Sequence, residues 1–110
     1  MSRDVNEISE YLIGLLIDKW NTDIQVISVR HDEYRRNCCF WIVSRIHARE
    51  VMFEYDRSTL DIYIKVEEHF QPLGKITHEL RAKGFASFTS EGLSQNFDVL
   101  DRTLRKMKKC

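Results

Sequence analysis

Residues 38–67, CCFWIVSRIHAREVMFEYDRSTLDIYIKVE, decide the fold of this chain. Apolar and polar side chains alternate through them, and Val, Ile, Phe, Tyr and Trp, the residue types that strands favour, predominate. Short polar groups interrupt the alternation. The pattern predicts strands at about 38–47, 50–56 and 59–67, and the segment 24–31 before them predicts a fourth strand of the same kind.

The alternation also predicts how the strands pair. We place the centres of the three turns at 34–35, 48–49 and 57–58. A shift of one residue would turn every side chain to the opposite face, so the pairing can be tested against the apolar pattern. The predicted cross-strand rows are Ile27, Ile42, Tyr55 and Leu60; Gln25, Ser44, Phe53 and Ile62; and Ile46, Val51 and Ile64.

Helical patterns flank the strands. Residues 3–20 repeat apolar side chains at close to helical spacing, the segment 72–85 opens with a proline and closes with glycine and phenylalanine, and residues 94–109 carry acids early and bases late. Residues 86–93 are interpreted as a loop or a short extra strand. The sequence therefore predicts a single α+β domain over 1–110, with an N-terminal helix, a four-stranded antiparallel meander and two C-terminal helices.

The amino-acid composition of the chain argues against several classes of function. Seventeen basic residues balance 17 acidic ones, which argues against a general polyanion binder. The longest apolar run, residues 11–17, is far shorter than the roughly 20 residues that span a bilayer, and the ten residues before it carry three acids against one arginine, unlike a signal peptide. Three cysteines, an odd number, fit a reducing compartment. These features predict a cytoplasmic protein with no membrane span.

The sequence shows no catalytic or metal-binding pattern. His31 stands beside Asp32 and Glu33, but the four histidines lack the spacings of metal ligands. Cys38 and Cys39 are adjacent, and neighbouring side chains on a strand diverge, which disfavours a disulfide between them. No nucleophile elbow, facing pair of carboxylates or glycine-rich phosphate loop is visible. We therefore predict a protein that is not an enzyme and that needs no cofactor or metal.

The same pairing gives the sheet a second, mixed face. It is rich in the residue types enriched in protein interfaces, including Trp41, Tyr63 and Arg45. Two arrangements are open: a third helix covers this face and buries Trp41, or the face is an exposed recognition surface. The residues assigned to it are Ile24, Val26, Ser28, Arg30, Cys39, Trp41, Val43, Arg45, Met52, Glu54, Asp61, Tyr63, Lys65 and Glu67.

In size, composition and architecture the whole chain resembles the immunity proteins of bacterial contact-dependent growth inhibition and related toxin systems. The resemblance implies a small domain that neutralises a cognate toxin, often a nuclease, by binding it tightly. Acids and aromatic rings would then mask a basic toxin surface. The residues expected in that partner site are Asp32, Glu33, Tyr34, Trp41, Asp56, Asp61, Tyr63, Glu67 and Glu68.

Two other functions stay open. The segment RTLRKMKK at 102–109 has five cations in eight residues, which fits a regulator that binds nucleic acid through its last helix. Nucleic acid is the less favoured partner, because such a tail is more often the solvated face of an amphipathic helix. On the mixed face, Glu54, Asp61 and Glu67 would repel phosphate. A secretion-type chaperone shares the α+β build but usually carries net negative charge. Each alternative predicts a different co-purifying partner.

Overall fold

The computed structural model describes residues 5–31, 39–56, 59–77, 85–87 and 90–108. Helices flank a run of strands, as the alternation in the sequence predicts. In chain order the elements are α1 (Val5–Trp20), a 3-10 turn (Asn21–Asp23), β1 (Ile24–His31), β2 (Cys39–Ile46), β3 (Arg49–Asp56), β4 (Thr59–Val66), β5 (His69–Pro72), α2 (Leu73–Ile76), β6 (Phe85–Ser87) and α3 (Ser90–Lys108).

The strands form one antiparallel sheet in the order β1-β2-β3-β4-β5, and β6 pairs with the start of β4. The predicted α+β class, N-terminal helix and antiparallel meander are confirmed. The predicted count of four strands is wrong, because β5 and β6 extend the sheet along the outer edge of β4. Both are short, at four and three residues, and such brief segments carry little periodicity.

The second predicted helix, 72–85, is also wrong in its extent. Helix α2 covers only Leu73–Ile76, and Thr77 leaves it with extended backbone at φ −134° and ψ 145°. Residues 78–84 lie outside the described part of the chain. Pro72 pairs with Tyr63 in the sheet and caps α2, so it ends a strand as well as preparing a helix.

The β2–β3 turn has its centre at His47 and Ala48, one residue before the predicted position, so Ile42 pairs with Phe53 rather than with Tyr55. The error slides the pairing by two residues and leaves every side chain on its predicted face. His47 and Ala48 have φ of 51° and 68°, the geometry of a two-residue turn that normally calls for Asn or Gly. Neither type is present, which explains the misplaced centre.

The first hairpin departs further from prediction. A bulge between Val26 and Ser28 leaves Ile27 exposed, and Ile42 pairs with Val29 instead of Ile27. Upstream of the bulge the faces are exchanged. Ile24 and Val26, predicted for the mixed face, pack against the core, whereas Gln25, predicted for the inner rows, pairs with Arg45 on the opposite surface.

Helices α1 and α3 both pack on one face of the sheet, and their apolar stripes meet the inward-facing strand residues in a single core. Two helices at ~10 Å each are wide enough to cover one face of a sheet whose strands are ~4.8 Å apart. The core includes Leu12 and Leu16 from α1, Phe97, Leu100 and Leu104 from α3, and Phe40, Ile42, Phe53, Leu60, Ile62 and Ile64 from the strands. Among the described helices, none is long and apolar enough to cross a membrane.

A polar cluster closes one end of this core. The Asp101 carboxylate on α3 accepts hydrogen bonds, each of 2.8 Å, from Trp20 Nε1 on α1, from His47 Nε2 in the β2–β3 turn and from Arg105 Nε. The His47 backbone N–H also donates to the Asp23 carbonyl at 3.2 Å. Asp101 therefore ties both helices to one corner of the sheet.

Candidate protein-binding face

The sheet surface opposite α1 and α3, here called the open face, is the candidate site. Cross-strand partners share a face, so the pairing fixes its membership. No described helix contributes to it, because the buried residues of α1 and α3 belong to the core on the other side. Its members on β1 to β5 are Gln25, Ser28, Arg30, Cys39, Trp41, Val43, Arg45, Glu50, Met52, Glu54, Asp56, Thr59, Asp61, Tyr63, Lys65, Phe70 and Pro72.

Three zones follow one another along the strands of the open face. The acidic end holds three carboxylates and one cation, the apolar row crosses the middle, and the basic end holds two cations and one acid. Their charged and apolar members are Arg30, Glu54, Asp56 and Asp61 in the acidic end; Val43, Met52, Tyr63 and Pro72 in the apolar row; and Arg45, Glu50 and Lys65 in the basic end. The face is therefore electrically polarised along the strand direction.

Glu54 fixes two aromatic rings at the acidic end. One carboxylate oxygen accepts a hydrogen bond from Trp41 Nε1 at 2.8 Å, and the other accepts one from Tyr63 Oη at 3.1 Å. Trp41 lies directly opposite Glu54 on β2, whereas Tyr63 reaches it diagonally from β4. Both rings are half-buried on the open face. The pair therefore presents pre-positioned aromatic surface, which lowers the entropy lost when a partner binds.

Of the three carboxylates in the acidic end, Asp61 is the one without a hydrogen bond or ion pair to the described residues. Burial raises its pKa, and the neighbouring charges of Glu54 and Asp56 raise it further. A cation brought to this position would relieve that repulsion and stabilise the ionised form. The acidic end is therefore suited to receive a positive group.

The carboxylates Glu54 and Asp61 also shift the pKa of the Tyr63 phenol. Burial, the charge and hydrogen bond of Glu54 and the charge of Asp61 together raise the pKa of Tyr63 to about 12. We expect Glu54→Gln to lower this pKa by at least about one unit, because the substitution removes the charge that opposes phenolate formation. Ultraviolet titration of the phenolate measures it, with Tyr63→Phe to assign the transition.

Glu50→Gln is the matched control for that titration. Glu50 lies on the same face of β3, but its carboxylate binds Lys65 at 3.1 Å rather than Tyr63. It should leave the Tyr63 transition in place. A Tyr63 pKa that does not move in Glu54→Gln would show that Glu54 is not the acceptor of the phenol.

Cys39 marks the edge of the acidic end. Its side chain is buried, and the thiol donates to Asp56 Oδ1 at 3.3 Å across the β2–β3 ladder. Thr59 Oγ1 in turn donates to the Asp56 carbonyl at 2.7 Å. Within the described residues, no group of three or more His, Cys, Asp or Glu is arranged to hold a metal ion. The contacts hold Asp56 in place at the end of β3.

The structure brings together four of the nine residues predicted for the partner site. Trp41, Asp56, Asp61 and Tyr63 all lie on the open face, within the acidic end or next to it. Glu67 and Glu68 form the exposed β4–β5 turn at the far end of the strands, about 20 Å along β4 from Asp61. Asp32, Glu33 and Tyr34 lie outside the described residues.

Sequence reasoning placed Glu54 on this face but left it out of the site. Its role depends on two cross-strand contacts that only the register reveals. The available signal was only that Glu54 shares the mixed face with Trp41, Tyr63 and Asp61, because the predicted turn centre did not place Glu54 opposite Trp41. A carboxylate flanked by a Trp and an Asp on a sheet face normally needs a donor, and the indole supplies it.

The chain matches no known family model, and no curated protein or solved structure shows significant similarity to it. The argument for function therefore depends on the open face itself.

Proposed function

We propose that this chain is a non-enzymatic binding protein that neutralises a cognate bacterial toxin by covering a basic surface of the toxin domain with its open face. One observation carries the proposal. Asp61 lacks a hydrogen bond or ion pair within the described chain and lies next to Tyr63 on β4, in the same cross-strand row as Trp41. Both rings are fixed by Glu54, on a face that neither α1 nor α3 covers.

This arrangement suits recognition of a protein rather than catalysis. Aromatic side chains held in one conformation are the residues that dominate interface energies, and nearby charges of one sign steer the partner and set its orientation. A nuclease is a natural target, because a surface that binds nucleic acid is basic. Masking that surface would block substrate binding without any chemical step.

The test begins with capture of the partner from the native host by the full-length chain. The purified partner is then titrated against wild type and Asp61→Lys. We expect the substitution to weaken binding at least about tenfold, chiefly through a slower, less salt-dependent association. The complex should also abolish the toxic activity of the partner in a growth assay.

Glu68→Lys is the matched control, since it makes the same change of charge in the exposed β4–β5 turn, far from Asp61. It should bind like wild type. Equal affinities for wild type and Asp61→Lys would contradict the proposal. Co-purifying nucleic acid would also contradict it and would favour a regulator that binds nucleic acid through its last helix. A bound protein partner whose activity is unaffected would favour a chaperone.

A further inference from the structure

The polarisation of the open face bears on how this chain behaves without its partner. A surface with an acidic end, an apolar row and a basic end can match a copy of itself if the two copies are turned correctly. Two sheets pack face to face with their strands nearly aligned, about 10 Å apart. From this match we propose that two copies associate through their open faces to form a symmetric, reversible dimer.

The position of the two-fold axis decides whether the charges match. An axis parallel to the strands would place acidic end against acidic end. An axis in the plane of the interface, perpendicular to the strands and running along the apolar row, instead places each acidic end over the basic end of the second copy. The apolar row then packs against itself at the centre, with charged residues at its margins, which is the usual layout of an interface.

This second arrangement gives a partner to Asp61 and to Arg45, two side chains that lack one among the described residues. Asp61 lies over Lys65 of the second copy, because both are on β4 and lie equally far from the apolar row. Trp41 likewise lies over Arg45 of the second copy, as both are on β2, and a guanidinium stacks favourably on an indole. Asp61 and Arg45 each make no hydrogen bond or ion pair within the described chain, and Arg45 is exposed.

A like-charge contact remains between the β3 strands of the two copies. Glu54 lies over Glu50 of the second copy, and the Lys65 ammonium bound to that Glu50 offsets the repulsion between the two carboxylates. Lys65 has three N–H donors, so its bond to Glu50 leaves donors for an Asp61 carboxylate. Each salt bridge forms twice in the symmetric dimer.

The area of the open face suggests a weak dimer. Five strands ~4.8 Å apart and four rows of side chains ~6.7 Å apart make a patch of about 600 Å² per copy. Two such patches bury about 1,200 Å², the lower limit for specific interfaces. The proposed toxin complex uses the same face, so, if that proposal holds, toxin binding and dimer formation exclude each other and the toxin must displace the second copy.

Sedimentation velocity of the full-length chain over a wide range of concentration tests the dimer. We expect a monomer–dimer equilibrium in which Asp61→Lys and Lys65→Asp each raise the dimer Kd at least about tenfold, since each creates two like-charge contacts. The double variant D61K/K65D exchanges the charges and should return the Kd to within about threefold of wild type. Glu67→Lys, a change of the same size in the exposed turn, should have no effect.

Arg45→Glu is a second variant for the case in which a β4 variant folds poorly. Arg45 is exposed and makes no hydrogen bond in the described chain, so its substitution should not disturb the fold. It should weaken the dimer about tenfold, because it removes the guanidinium that lies over Trp41 of the second copy. A chain that stays monomeric at about millimolar concentration, or a dimer insensitive to these reversals, would overturn the dimer. Loss of toxin binding in Asp61→Lys would still support the proposed function in that case.

Discussion

Phe53→Ala is expected to lower the free energy of unfolding by about 3–5 kcal/mol. Phe53 is fully buried on β3, and its ring meets Phe97 of α3 edge-on, with centroids 6.0 Å apart and planes at 82°. Truncation removes the apolar burial of the ring and leaves a cavity that the two helices and the sheet cannot fill without moving. Urea denaturation followed by circular dichroism measures the loss.

Phe70→Ala is the matched control, because Phe70 is only half-buried on β5, across from Lys65. It should cost less than about 1.5 kcal/mol, in line with its smaller loss of apolar contact. Phe53→Leu should fall between the two, since it keeps most of the volume. A cost below about 1 kcal/mol for Phe53→Ala would mean that α3 does not pack on β3 as described.

The sequence contained enough information to sort most strand residues between the two faces of the sheet. Alternation has a period of two, so an error of one residue in the centre of the β2–β3 turn shifted the pairing without exchanging any side chain between faces. Trp41, Asp61 and Tyr63 were therefore assigned correctly to one surface before their contacts were known.

Local signals could not reveal the bulge in β1 or the end of α2. The bulge at Val26–Ser28 adds one residue and reverses the faces upstream, and no glycine marks it. Helix α2 ends at Ile76, where Thr77 has extended backbone, although the sequence pattern predicts a helix that continues past this point. Such departures depend on contacts between distant segments.

The sequence predicted which residue types lie on the candidate site, but it did not predict the contacts between them. Facing residues of the right types identified the surface, but whether α3 covers it was undecided on sequence alone. The answer comes from the apolar stripe of Phe97, Leu100 and Leu104, which joins α1 on the inner face. The hydrogen bonds of Glu54 with Trp41 and Tyr63 could be predicted only from the correct register of β2, β3 and β4. The predicted turn centre was one residue off, so the sequence did not provide that register.

Asp101→Asn is expected to lower the free energy of unfolding by about 2–3 kcal/mol. The carboxylate accepts hydrogen bonds from Trp20, His47 and Arg105, and hydrogen bonds to a charged acceptor are stronger than those to a neutral one. The neutral amide presents a single acceptor oxygen and adds donors that face other donors. Asp98→Asn, one turn earlier on α3, is the control. Asp98 is exposed and, among the described residues, pairs only with Lys19, so its loss should cost less than about 1 kcal/mol.

The same residue predicts a pH dependence with a definite sign. Burial alone would raise the pKa of Asp101, but the hydrogen bonds from His47, Arg105 and Trp20 outweigh it and lower the pKa from 3.8 to about 2. Between those values the unfolded chain binds the proton more tightly than the folded one, so stability falls as pH decreases.

Asp101 should contribute its full share above about pH 4 and lose it as pH falls through about 2. Urea denaturation at a series of pH values should show wild type losing about 1–2 kcal/mol more than Asp101→Asn across this window, since solvent screens part of the interaction. Parallel curves for the two proteins would show that the three donors do not stabilise the ionised carboxylate.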